Sequence, residues 1–336
     1  MNDSVTLRRA RPADAPAIDR LVRSTLDDGG PLLNPGFWEW KHTGRHFPPS
    51  PAWVAEAAGE VVALRIFLSW RFLHGSGELQ AVRAVDTATH PDWRRRGLFR
   101  RLTLSAVAAL AEEGVDLVFN TPNRYSRPGY LAMGWRTVGR APLLVRPRRP
   151  WTWLRRAADG AAARIPEGEP GTAILERPGI DGLLQRVEEA QRRDGRLSTR
   201  RDLPYLTWRY ATVPGIDYTV RTAPPDGAPG ALLVLRGRHR RGRRELTVCD
   251  LLVPPEEAAV DAATQLLRRA VRETDADYLL AAAAPRTPEH DALRRAGFWP
   301  LPGVGPVVTV LPLSGAGRTG LDSGAWRLSI GELELF

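Results

Sequence analysis

The stretch His90–Leu102, HPDWRRRGLFRRL, joins three consecutive arginines and a glycine to the start of an amphipathic helix. The apolar, β-branched run Ala81–Thr89 precedes it, and Leu102, Leu104, Val107, Ala108 and Ala111 give the helix its apolar face. A strand that feeds a basic, glycine-containing turn and then a helix start can hold phosphate. Backbone N–H groups of the turn and the positive end of the helix dipole converge on one point, and arginines add charge. Just downstream, Asp116–Phe119 reads as a buried strand. It ends at Asn120-Thr121-Pro122-Asn123 and leads into Ser126, Tyr130, Met133, Gly134 and Trp135.

These two signatures, in this order and about one helix and one strand apart, resemble the GNAT acetyltransferase superfamily. Its pyrophosphate turn is written R/Q-x-x-G-x-G/A, and Arg94-Arg95-Arg96-Gly97-Leu98 fits it, with Phe99 in place of the final small residue. Its following helix reads N-x-x-A/S-x-x-x-Y-x-x-x-G-F/W, and Asn123, Ser126, Tyr130, Gly134 and Trp135 match each position. The match runs from about Val5 to Arg146. Two linked motifs are far more specific than either alone.

The resemblance implies an acetyl-CoA site. The thioester would lie in a V-shaped gap between Leu79–Thr89 and Asp116–Asn120, and backbone groups of Thr87, Ala88 and Thr89 would pair with the pantetheine arm as an added strand does. Arg94, Arg95, Arg96, Gly97, Leu98 and Phe99 would form the pyrophosphate turn, with Gly97 where the backbone must approach closely. Asn120, Asn123 and Ser126 complete the implied cofactor-binding set. Tyr130 is the expected catalytic acid. Amine attack expels a thiolate whose conjugate acid has a pKa of about 8.5 by analogy with cysteine, and a phenol of pKa about 10 can protonate it.

For the general base the sequence offers Asp86, on the strand beside the thioester, which equally suits a solvated or capping aspartate. The tail Trp326–Phe336 alternates apolar and polar residues and reads as a strand. In the tandem family typified by the enhanced-intracellular-survival acetyltransferases, a C-terminal carboxylate reaches the first domain's active site, which makes Phe336 a second candidate. This chain lacks room for the sterol-carrier-like domain of those proteins. The Trp38/Trp40 region is read as lining of the acceptor groove, and His42 and His46 either as further lining or, as lone histidines more often are, as plain surface or core residues.

The elements that must position these groups repeat. The first half reads strand (5–9), helix (13–25), a Trp-rich segment (37–41), strands at 53–57, 61–73 and 79–89, the long helix to Glu113, a strand, a short helix and two final strands. Gly-containing turns between the β-rich runs mark hairpins. In the second half Tyr205–Tyr210 stands for the Trp-rich segment, and 218–222, 231–238 and 245–253 stand for the strands. The helix 256–274, the strand 278–283 and a short helix ending at Gly297-Phe298 follow. The expectation is a mixed α/β fold of two tandem GNAT-like domains. An acetyl-CoA-binding domain would span 1–146, a linker 147–172, a degenerate copy 173–314 and a tail 315–336. Degeneracy follows from the site positions. Pro254-Pro255-Glu256-Glu257 replaces the basic turn and would repel pyrophosphate, Leu293 stands four residues before Gly297, and Arg286 replaces Asn123.

At 336 residues with 43% apolar content, each half can bury a core. No apolar run is long enough to span a bilayer, and Met1-Asn2-Asp3-Ser4 lacks a signal peptide's pattern, so a cytoplasmic protein without stable membrane insertion is expected. Cys249 is the only cysteine, which excludes internal disulfides and Cys-based metal sites, and it reads as a small buried residue. Lys41 is the only lysine, so the net charge of +10 is an arginine bias as much as a nucleic-acid signal. The segment Arg148–Arg156 reads as a linker helix. No metal is implied, because no His/Asp/Glu cluster has ligand spacing. The reading is direct acetyl transfer to a small-molecule primary amine, with no nucleic acid as partner and a homo-oligomer left open. The rivals are a non-catalytic acyl-CoA-binding protein and a Fem-type aminoacyl transferase, the latter at odds with an intact pyrophosphate turn.

Overall fold

A computed structural model describes residues 4–25, 35–44, 46–148, 162–224 and 227–333. In chain order the first strands are β1 (Thr6–Arg9), β2 (Ala52–Ala57), β3 (Glu60–His74), β4 (Gly77–Thr89), β5 (Leu117–Asn120), β6 (Arg136–Arg140) and β7 (Leu143–Pro147). They are followed by β8 (Glu169–Pro170), β9 (Leu197–Thr199), β10 (Thr219–Ala223), β11 (Ala231–Arg240), β12 (Arg243–Leu252), β13 (Tyr278–Ala282), β14 (Trp299–Pro300), β15 (Val307–Pro312) and β16 (Trp326–Arg327). The helices are α1 (Ala15–Thr25), α2 (Pro35–His42), α3 (Leu98–Glu112), α4 (Arg127–Ala132), α5 (Ile180–Asp194), α6 (Leu203–Leu206), α7 (Glu257–Glu273), α8 (Pro288–Arg295) and α9 (Ile330–Leu333).

Two mixed sheets result. The first runs β1-β2-β3-β4-β5-β15-β6, with β9 on the far part of β3 and β16 on β9; the second runs β14-β7-β13-β12-β11-β10-β8. Each half therefore lends a strand to the other. β15 lies antiparallel between β5 and β6, and β7 lies antiparallel between β13 and β14. Chain-order boundaries at 146, 172 and 314 do not coincide with these sheets: residues 143–146, assigned to the first half, belong to the second sheet, and β15 belongs to the first. The reason is local. Leu143, Leu144 and Val145 are all buried, so β7 needs neighbours on both edges and cover on both faces, and strand periodicity carries no information about which sheet supplies them. The expected linker is also partly structured, since Glu169–Pro170 pairs with β10.

The repeat in the sequence is visible as a reciprocal contact. Trp40 of α2 and Trp208, its counterpart in the second half, stack with ring centroids 5.0 Å apart. Each indole N–H donates to the other residue's carbonyl, at 2.6 and 3.0 Å. Around them Phe37, Phe47, Trp70, Phe119, Tyr205 and Trp326 form one buried cluster drawn from both halves. This corrects the reading of Trp40 as acceptor-groove lining. Its ring is fixed in the core between the domains, while Trp38 is half-buried against His42. A second cluster packs α7 and α8 on the second sheet, and a third packs α3 on the first.

Candidate functional site

β4 and β5 pair in parallel only from Ala81–Leu117 to Arg83–Phe119. Beyond that β5 ends at Asn120, whereas β4 continues to Thr89 along β3. The β4 edge from Ala84 to Thr89 thus has no strand on its β5 side. A bulge reinforces the divergence: Arg65 faces Thr87 and Ile66 faces Val85, so Asp86 is an extra residue, held at φ +28°. Bulges bend a strand and re-aim its side chains. The opening is a cleft of about 800 Å³, lined among others by Arg65, Arg83, Asp86, Thr87, Phe99, Asn120, Asn123, Tyr125, Ser126 and Tyr130. Seven residues named from sequence meet there. Ala88, Thr89 and the turn 94–98 flank it instead.

The basic turn has the backbone expected of it. After a 3-10 turn at Pro91–Trp93, Arg95 and Gly97 adopt φ of +63° and +73°, and Gly97 leads directly into α3. A Cβ at residue 97 would meet nothing within 4 Å, so the positive φ rather than lack of space calls for glycine. The first N–H bonded back into this helix start is that of Arg101, to Gly97 O at 3.0 Å. The preceding N–H groups are those a helix leaves for capping groups or ligands. Arg94–Gly97 are exposed; Leu98 is buried in the core beneath α3. Phe99 turns inward, its ring edge-on to Tyr130 at 5.5 Å and against Gly129. A bulky residue is therefore accommodated by the core.

Tyr130 is buried on α4, and its hydroxyl oxygen accepts a hydrogen bond from Arg65 at 2.7 Å. Arg65 also donates to the Thr87 hydroxyl and to Val85 O, and its guanidinium lies over the rings of Phe67, Phe99 and Tyr130. Because the phenol oxygen accepts from Arg65, its own proton can point elsewhere. Asn123 Oδ1 accepts from the N–H groups of Tyr125 and Ser126, both at 2.9 Å, and from the Ser126 hydroxyl, which fixes the entry to α4 and leaves the amide N–H₂ for other partners. Asn120 accepts from Thr309 on the borrowed strand β15.

Asp86 has a different environment from the one a general base needs. Its carboxylate meets Lys41 Nζ at 2.8 Å and His42 Nε2 at 2.9 Å, and all three side chains are buried. Burial would raise its pKa, but the Lys41 charge and the His42 hydrogen bond outweigh that and hold the carboxyl well below the ordinary range. Such a carboxylate is a poor proton acceptor, so the geometry does not support Asp86 as the base. His46 reaches Asp202 of the second half at 3.5 Å rather than the cleft.

The tail departs from the expected strand. Among the described residues of the tail, Trp326–Arg327 alone is a strand; Ile330–Leu333 forms a helical turn, which lets Glu332 bond the Ser329 N–H at 2.6 Å and Arg201 at 2.9 Å. Gly331 is required by close approach, since a Cβ there would collide with Tyr210 Oη and Asp250. Arg83, lining the cleft, donates to the carbonyls of Glu332 and of Leu333, the latter at 3.1 Å. Phe336 lies outside the described residues, as do residues 149–156 of the expected linker helix.

Arg65 and Arg83 are the residues that sequence reading missed. Each is a lone cation in an apolar strand run, VVALRIFL and LQAVRAV, and that anomaly was the available signal.

The equivalent gap in the second half is closed. β12 pairs with β13 only from Glu245 to Thr247, and Cys249 is the extra residue of the matching bulge. The C-terminal segment fills the opening and leaves a crevice of about 20 Å³ lined by Asp250, Arg327, Leu328 and Ser329 among others. Asp250 accepts from Arg201 at 2.9 Å and from Tyr210. Burial pushes the Cys249 thiol up to about 12, in line with its reading as an inert core residue. Among the described residues, no cluster of three His, Cys, Asp or Glu could hold a metal, and no helix is long and apolar enough to cross a membrane.

Residues 6–138 match the family model described as an acetyltransferase (GNAT) domain. No curated protein sequence matches the chain significantly. The whole chain is similar to a solved GCN5-related N-acetyltransferase from Anabaena variabilis, with a TM-score of 0.64 at 12% identity over 95% of this chain and 75% of that one. It is similar also to a probable N-acyltransferase from Enterococcus faecalis (TM-score 0.63, 11% identity, 94% and 74% covered). A third likeness is to Eis1 from Mycobacterium abscessus (TM-score 0.59, 14% identity, 97% and 83% covered). At these identities the likeness is one of fold: two GNAT-like domains in tandem.

Proposed function

We propose that this chain, a tandem protein of the GNAT superfamily, moves an acetyl group from acetyl-CoA to a primary amine in the cleft between β4 and β5. The observation that carries the reading is an unpaired β4 edge and a buried phenol at one cavity, with an open helix N-terminus flanking it. The donor fits these features: N–H groups at Gly97–Arg100 and the arginines 94–96 suit its pyrophosphate, the edge at Thr87–Thr89 suits its amide-bearing arm, and the Asn123 amide suits a further hydrogen bond.

Acetyl-CoA supplies a thioester carbon for amine attack; a C–N bond forms, the C–S bond breaks and the thiolate needs a proton. Tyr130 donates that proton as the acid, and Arg65 steadies the phenolate left behind, because its N–H already points at the phenol oxygen. The proton lost by the amine passes to water in the open cleft. The Phe336 carboxylate is a second proposed acceptor, supported by the anchoring of Leu333 beside the cleft. If it acts so, removal of residues 334–336 lowers turnover and leaves acetyl-CoA affinity unchanged.

Tyr130→Phe tests the reading, because it removes one hydroxyl and little packing volume. We expect kcat to fall by roughly 10²–10³, with acetyl-CoA affinity retained. Near-normal turnover, measured where chemistry limits the rate, reduces Tyr130 to a packing residue.

A further inference from the structure

The cleft has a charge imbalance that the transfer reading does not use. Its charged lining side chains are Arg65, Arg83 and Asp86. Asp86 is already matched by Lys41. Neither arginine has a carboxylate partner among the described residues. Arg65 uses three N–H groups, on the Tyr130 and Thr87 hydroxyls and Val85 O, and its buried Nε has no partner. Arg83 also uses three, on Thr121 Oγ1 and the carbonyls of Glu332 and Leu333. All six acceptors are neutral, and each guanidinium carries five N–H donors. Burial pulls Arg83 down to about 10 against the opposing carboxylate charges of Glu332 and Asp86, neither of which touches it, so it remains a cation at neutral pH. Buried charges are as a rule paired in direct contact, so two cations at one cleft with only neutral groups touching them call for an anion.

The pyrophosphate turn cannot be the answer, because Arg94–Gly97 do not line this cavity. The two guanidinium groups have separate surroundings: Arg65 is held among Phe67, Phe99 and Tyr130, and Arg83 is held by the C-terminal segment from the second half. Arg83 retains two donors and borders the space through which an amine would reach Tyr130.

Resting on the transfer reading, we infer that Arg83 binds a substrate carboxylate, so that the cleft selects a carboxylate-bearing amine or a carboxylate-bearing acyl group and rejects polycationic acceptors. Guanidinium is suited to this, since it binds carboxylate through paired N–H groups.

The test uses the full chain and follows thiol release. One arm pairs acetyl-CoA with alanine, alaninamide and spermidine; the other pairs a neutral amine with acetyl-CoA and with succinyl-CoA. The carboxylate-bearing member of one arm is expected to be preferred by about tenfold or more in kcat/KM, and the arm that shows it identifies the source. The preference should shrink in Arg83→Lys, vanish in Arg83→Met, and persist in Glu334→Gln, which removes a tail carboxylate without creating a new one beside Arg83. A ratio is the readout because a general loss of activity leaves it unmoved. Equal or better use of spermidine and alaninamide, with no gain from succinyl-CoA, overturns the inference and leaves acetyl transfer standing. An undiminished preference in Arg83→Met overturns it too, and so does one that appears only in Glu334→Gln, which would assign the counter-ion to the chain's own tail. No thiol release with any pair removes the transfer reading itself.

Discussion

The two halves hold the same splayed strands and put opposite things in them. In the first, β4 and β5 part around an open cleft of about 800 Å³; in the second, β12 and β13 part around the chain's own segment 326–333, leaving about 20 Å³. The bulge residue is Asp86 in one and Cys249 in the other. Position by position, Arg65 and Tyr130 of the first become Val234 and Leu293 of the second. Where α3 begins after arginines and a glycine, α7 begins after Pro254-Pro255-Glu256. Two prolines withdraw N–H groups and two glutamates repel phosphate there. The fold's gap is thus a geometric property of the bulged strand, whereas a site needs the residues around it. The second copy turns its gap into a joint that fastens the C-terminus between the domains.

If the second gap is a joint, breaking it should affect stability most. Asp250→Ala leaves Arg201 buried with one carboxylate instead of two and removes the Tyr210 partner. We expect a loss of about 3–5 kcal/mol in urea unfolding. A loss below about 1 kcal/mol would show that the plug contributes little to holding the halves together.

The matching change in the first gap should be smaller and pH-dependent. Asp86→Asn keeps a polar group but takes away the carboxylate that faces Lys41, at a cost of about 1–3 kcal/mol at pH 7. The folded-state pKa of Asp86 is depressed, so its contribution is fully present above the ordinary carboxylate pKa of about 4. It is lost as pH falls below that value. The stability gap between wild type and variant should therefore narrow from pH 5 to pH 3. A gap independent of pH would mean that the ion pair is not its source.

Much of this was legible in the sequence, for reasons that also explain what was not. The basic turn, Asn123, Ser126 and Tyr130 are local signals, where spacing on a helix or in a turn fixes geometry. The repeat was visible because Trp40 and Trp208 sit at equivalent places, but their mutual stacking was not, since it depends on how two halves dock. The exchange of β7 and β15 is a matter of topology, and apolar strand patterns are blind to it. The tail read as a strand because its alternation is real; burial of Glu332 against Arg201, with Gly331 under Tyr210, winds it into a turn instead. Asp86 looked like a base because sequence shows a carboxylate and hides its partners, which come from α2, 45 residues away in the case of Lys41.

The central claim is that one copy kept the donor site and the other filled it in. Calorimetry of the full chain with acetyl-CoA tests this most directly. One site per chain is expected, abolished by Gly97→Asp, which puts a carboxylate at a positive-φ position in the turn, and unchanged by Glu257→Arg at the start of α7. Two sites per chain, or equal affinity for wild type and Gly97→Asp, would contradict it.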